Sequence, residues 1–164
     1  MMKHRLAPRT FARRVLPLLG AGALACAIAT TMAMAATYEH GALHISQPWS
    51  RATSAGMPMG VAYLTITNRG KKADALIAAS TPAAARVEIH HTTLVDGMAR
   101  MRPLSEIPIP AGATVKIEPG GIHLMLVDLE APLVAGKPVP LTLEFRVAGR
   151  VTVDLAAQAP QAPL

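Results

Sequence analysis

From Val61 onward the chain alternates apolar and polar residues with the period of two that sends successive side chains to opposite faces of a strand. Val61-Ala62-Tyr63-Leu64-Thr65-Ile66-Thr67 is rich in β-formers and ends at the turn signal Asn68-Arg69-Gly70. The alternation returns in Arg86–His90, Thr114–Glu118, Leu141–Val147 and Arg150–Leu155. Asp96-Gly97 and Ala148-Gly149 fall between strand pairs, where tight hairpin turns need residues that accept positive φ. Pro119-Gly120-Gly121 breaks the chain before a further run, Ile122–Leu129. Strands spaced at roughly 8–12 residues predict an all-β sandwich or barrel. No stretch holds helical periodicity, and no internal repeat is present. Aromatic residues are 3% of the chain, so the core must be built from Val, Ile and Leu. Trp49, Tyr63 and Phe145 are the large packing anchors available. The Ala/Pro/Gln-rich tail is expected to be loose, which sets the predicted domain at 36–156 and the tail at 157–164.

The net charge of +6 at first suggests a nucleic-acid partner, but its location removes that reading. Lys3, Arg5, Arg9, Arg13 and Arg14 all precede an apolar run that ends near Ala35, and no acid lies in that segment. The remainder carries 11 basic against 10 acidic residues, a net charge of +1. Residues 1–35 have the layout of a secretory signal peptide: a basic start, a Leu/Ala/Gly-rich stretch, and Ala33-Met34-Ala35 as a cleavage site. An uncleaved anchor is the alternative, since Val15–Ala36 approaches the ~20 apolar residues of a membrane span. Cys26 is the sole cysteine, and in Ala23-Leu24-Ala25-Cys26 the aliphatic residue stands one place too late for a lipoprotein site. A mature chain cut after Ala35 is expected in the periplasm with no disulfide and no thiolate ligand, which suits an oxidising compartment.

What the mature chain has for chemistry is histidine and methionine: His40, His44, His90, His91 and His123, with Met57, Met59, Met98, Met101 and Met125. In Ile122-His123-Leu124-Met125-Leu126 the alternation puts His123 and Met125 on one face, about 6–7 Å apart along the strand. Ile122, Leu124 and Leu126 take the other face, toward the core. A thioether beside an imidazole suits Cu(I) better than Zn(II), Mg(II) or Ca(II). Taken alone, the pair also fits a rim histidine beside a methionine that covers apolar surface. Two further residues alter the balance. A hairpin through Asp96-Gly97 brings His90 and Met101 near each other, and Pro119-Gly120-Gly121 lets the chain return with His123 and Met125. Two imidazoles and two thioethers make a soft four-donor set.

The spacing His90-x10-Met101-x21-His123-x-Met125 resembles the copper motif of the periplasmic PCu(A)C-type copper chaperones. The flanking residues agree: Val87-Glu88-Ile89-His90, Asp96–Pro103, and Pro119–Leu126, with Trp49–Thr53 and Ala62–Asn68 upstream. The resemblance spans about residues 38–156. It implies a cupredoxin-like sandwich or barrel, Cu(I) as cargo, and His90, Met101, His123 and Met125 as its ligands. It also implies delivery of copper to cytochrome c oxidase, the acceptor being an oxidase subunit or another periplasmic copper carrier. Nucleic acid is not an expected partner, and the mature form is expected to be a soluble monomer. Some members of the family carry a His/Met-rich C-terminal extension. Val151–Leu164 has neither residue, so no second site is expected there.

Blue-copper electron transfer needs a Cys thiolate, and the recognised hydrolase, zincin and P-loop motifs are missing; the chain is therefore not expected to be an enzyme. Copper scavenging and a non-metal β interaction module stay as alternatives. Met98 is the expected substitute ligand, and His91 points to the opposite face from His90. Met57 and Met59 are read as loop packing, with shielding of the site or contact with a partner as the alternative. His40 and His44 have no ligand partner nearby, and Glu88 and Asp128 read as ordinary strand or turn residues. Thioethers carry no proton, so only the imidazoles couple binding to pH. Cu(I) affinity is expected to fall below about pH 6 as imidazole protonates. A chelator-competition titration that stays flat over about pH 5–8 would remove histidine from the ligand set.

Overall fold

The alternating segments pair into one long, mostly antiparallel sheet in the computed structural model, which describes residues 36–159. The expected signal peptide and cleavage site, Cys26 and the end of the tail lie outside the described residues. Eleven strands follow in chain order: β1 (Thr37–His40), β2 (Leu43–Arg51), β3 (Met59–Asn68), β4 (Asp74–Ser80), β5 (Ala84–Val95), β6 (Met98–Pro103), β7 (Ile107–Ile109), β8 (Thr114–Ile117), β9 (Ile122–Leu129), β10 (Pro138–Phe145) and β11 (Gly149–Gln158). Their order across the sheet is β6-β5-β9-β3-β2-β11-β10-β4-β7, with β1 on β2 and β8 on β3. The sheet is open, with β6 and β7 at its two ends.

β3 is long enough to serve two partners on one side. Its first half, Met59–Ala62, pairs with β9, and its second half, Leu64–Thr67, pairs with β8. Apolar residues from both ends of the strand order meet in a single cluster: Ile89, Leu124 and Leu126 from one end, Leu76, Leu143 and Phe145 from the other. Phe145 is buried, as its reading as an anchor requires. Trp49 and Tyr63 stand opposite each other on β2 and β3 with ring centroids 4.5 Å apart.

Two sequence expectations shift. The tail was expected to loosen from Ala157, yet Ala157 and Gln158 continue β11 and pair in parallel with Ser50 and Arg51. Ala157 is buried there, so backbone pairing and a small apolar contact override a loop-like composition. β2 gave no clear alternation because Gln47 takes φ +53° before Pro48, and the register slips between Ser46 and Trp49. Proline is tolerated in a strand at such a bulge, where no ladder donor is required of it.

Candidate metal centre

The β5–β6 turn sets the first half of the site. Asp96 and Gly97 both hold positive φ, 52° and 76°, as a two-residue hairpin turn matched to strand twist demands. That turn puts Val95 opposite Met98, and so Thr92 opposite Met101 and His90 opposite Pro103. Met101 is therefore the diagonal neighbour of His90 on the same face. On its other side β5 pairs with β9, placing His90 opposite His123 and Glu88 opposite Met125. The pleat thus collects Glu88, His90, Met101, His123 and Met125 on one face, at the β6 end of the sheet.

Within that group His90 is the hub. Its Nδ1 lies 3.0 Å from the Met101 thioether sulfur, and its Nε2 lies 2.9 Å from a Glu88 carboxylate oxygen. The His123 ring stands edge-on to it, centroids 5.9 Å apart. His123 Nδ1–H donates to the Gly121 carbonyl at 3.1 Å, and the same carbonyl accepts the Thr92 N–H. With Nδ1 so engaged, the Nε2 lone pair of His123 is left as a donor for a metal. In the neutral His90 ring whose Nε2–H goes to Glu88, the Nδ1 lone pair faces the sulfur lone pairs of Met101. Two electron donors that close, with no proton between them, suit a shared cation. Met125 lies two residues beyond His123 on the same face, between Glu88 on β5 and Val61 on β3.

Glu88 was missed as a functional residue in the sequence. It stands two residues before His90, hence on the same face of the strand, and that spacing was the available signal. One carboxylate oxygen accepts from Arg86 Nε at 2.8 Å and the other faces His90; Arg86 also reaches Asp128 at 2.8 Å. The Arg86 guanidinium first, and the His90 ring second, hold the Glu88 carboxyl below the ordinary range. An ionised, tethered carboxylate fixes the His90 tautomer. Partners of this kind typically change metal affinity about 10–100-fold. Glu88→Ala is expected to weaken Cu(I) binding by about tenfold, while Glu88→Gln, which keeps an acceptor for Nε2–H, should weaken it less. Chelator competition on the two variants checks both.

Other expectations need correction. His123 and Met125 were expected to project away from the core unless the strand is buried on both sides; His123 is only 5% exposed, with His90 opposite it on β5, and Met125 is half-buried. Met98 cannot replace Met101: it stands opposite Val95, three residues away along a strand, and so faces the other side of the sheet. His91 pairs with Arg102 and Ile122 on that other face, as expected. Met57 and Met59 do not pack as loop filler; they are 52% and 49% exposed, and Met59 already belongs to β3. His40 and His44 sit in the β1–β2 hairpin, against the Ala148 carbonyl and Glu39 respectively.

Among the described residues no group of three or more His, Cys, Asp or Glu could hold a metal ion. The methionine sulfurs on this face add soft donors to its imidazoles, a set that favours Cu(I).

The family model described as "LpqE-like: Putative lipoprotein LpqE-like" matches residues 43–157. A Leifsonia xyli subsp. xyli protein named "Putative lipoprotein Lxx21020" is 35% identical over 104 residues, which cover 63% of this chain and 61% of that protein. "Uncharacterized protein RP573" of Rickettsia prowazekii is 30% identical over 108 residues, 63% of this chain and 60% of that one. The chain thus spans about three-fifths of the length of these curated relatives. Among solved structures, a copper-bound PCuAC domain from PmoF2 superposes with TM-score 0.66 and 30% identity, covering 76% of this chain and 99% of that domain. The solution structure of CuI-DR1885 from Deinococcus radiodurans gives TM-score 0.57 and 27% identity over 74% of this chain and 80% of its own. The expected cupredoxin-like all-β fold is borne out by these likenesses.

Proposed function

The chain belongs to the LpqE-like family, that of the PCuAC domains, and from that premise we propose that it is an exported Cu(I) carrier that hands copper to cytochrome c oxidase during its assembly. His90, Met101, His123 and Met125 are the ligands in this reading. The observation that carries it is the 3.0 Å approach of His90 Nδ1 to the Met101 sulfur, with the His123 ring set against His90 from the next strand. Copper named as bound to the PmoF2 and DR1885 domains supports Cu(I) as the cargo. The signal-like leader and the lipoprotein names of relatives support export to the periplasm.

Four neutral donors hold Cu(I) without needing a thiolate that periplasmic oxidation would destroy. They also hold it less firmly than thiolates, which suits a protein that must give the ion away. Met101 lies on the edge strand β6 and is 52% exposed, so its sulfur is the arm an incoming ligand displaces first. His123, buried and tied to Gly121, keeps hold longest. The role is transport of an ion, not catalysis.

A deletion strain grown at low copper tests the function. Delivery predicts an under-metallated oxidase that added copper restores. Copper sensitivity with a fully metallated oxidase would instead make the protein a scavenger.

A further inference from the structure

Beside the four-donor face lies a groove of about 240 Å³ whose walls include Met57, Met59, Val61 and Met125. Its backbone is held in place. Thr53 N–H donates to the Leu133 carbonyl at 3.0 Å, and the Thr53 hydroxyl accepts the Leu133 N–H at 2.9 Å. Met57 N–H closes a turn on the Ser54 carbonyl, and Leu129 N–H donates to the Pro58 carbonyl at 3.0 Å. The segment is thus tied to β9 and to the Leu133 loop, while the side chains of Met57 and Met59 stand about half exposed. Register adds the third sulfur. Val61 is opposite Met125 and Met59 opposite Val127, which makes Met59 the diagonal neighbour of Met125 on the same face.

We propose that Met57, Met59 and Met125 form a second, all-thioether Cu(I) station that exchanges the ion with the His/Met centre through Met125. The proposal deepens the reading of that centre and rests on it for the direction of transfer. Three neutral sulfurs select a soft monovalent ion and reject Mg(II), Ca(II) and Zn(II). Three rotatable bonds let each methionine reach an ion that moves across the groove. In the exchange, Cu(I)–S bonds to Met57 and Met59 form as the Cu(I)–S bond to Met101 and the Cu(I)–N bonds to His90 and His123 break, and the Met125 sulfur stays bound. Copper remains Cu(I), and no proton or electron moves. Arg51 also lines the groove, and its positive charge makes this station the weaker of the two.

The test uses the full chain with 13C-labelled methionine methyls and Ag(I) as a redox-inert probe of the same softness. In the unmodified protein the first equivalent should shift the Met101 and Met125 methyls, and a second should shift Met57 and Met59. In His90→Ala/His123→Ala the Met57 and Met59 methyls should still respond. A Met57→Leu/Met59→Leu chain, intact at the four-donor centre, should keep its tight equivalent but release Cu(I) to a chelator about tenfold more slowly. Met57 and Met59 methyls that stay unmoved in excess Ag(I), or an unchanged release rate in the leucine variant, overturn the station. A tight equivalent that survives His90→Ala/His123→Ala overturns the four-donor centre instead, so the two failures are distinct.

Discussion

A His123→Ala/Met125→Ala chain is expected to lose its tight Cu(I) equivalent, with affinity reduced by at least about a thousandfold. The magnitude follows from the donors removed. Changing a residue that merely orients a ligand costs about 10–100-fold in affinity, and here two ligating atoms disappear from one strand. His123 supplies a pre-oriented Nε2, its ring fixed by the 3.1 Å bond from Nδ1 to the Gly121 carbonyl. Met125 supplies the sulfur on the same face. Only His90 and Met101 remain, across the β5–β6 hairpin. Anaerobic titration against a Cu(I) chelator measures the loss. Met98→Ala and His91→Ala are the controls, since both residues face the other side of the sheet and should leave affinity unchanged. A tight equivalent retained in the double variant would remove β9 from the ligand set.

The candidate donors were legible in the sequence because their grouping depends on three strands, β5, β6 and β9, and one tight turn. Asp96-Gly97 announces a two-residue hairpin, and once its register is fixed, His90 and Met101 must share a face. The strands with steady alternation, β3, β5, β8, β9, β10 and β11, were visible for the same reason. What escaped depended on partners far away in the chain. β4 is Asp74-Ala75-Leu76-Ile77-Ala78-Ala79-Ser80, too rich in alanine to read as a strand; it exists because β10 and β7 pair with its two edges. The burial of His123 depends on residues distant in the chain, such as His90 opposite it on β5, which no local pattern encodes. Glu88 looked ordinary because its role depends on which ring nitrogen of His90 it meets, a matter of side-chain direction rather than spacing.

Leu124→Ala should separate the core from the site, because β9 serves both. Leu124 is fully buried, paired with Ile89 on β5 and Ala62 on β3, between the two candidate ligands of its own strand but on the opposite face. Truncating a buried leucine removes its transfer energy and leaves a cavity, a loss of about 2–5 kcal/mol. The urea midpoint of the metal-free protein should fall accordingly, with the slope unchanged. Bound Cu(I) stabilises the folded state by about 2.7 kcal/mol when free ligand is a hundred times its dissociation constant. If the two faces of β9 act independently, that increment should be the same in Leu124→Ala as in the unmodified protein, and it should vanish in His123→Ala/Met125→Ala, whose core is untouched. An increment that shrinks in Leu124→Ala would mean that the pleat of β9, not the rings and sulfurs alone, sets the donor positions. The centre would then be held in shape by the core beneath it, and repacking around Leu124 would tune the protein's grip on copper without altering a single ligand.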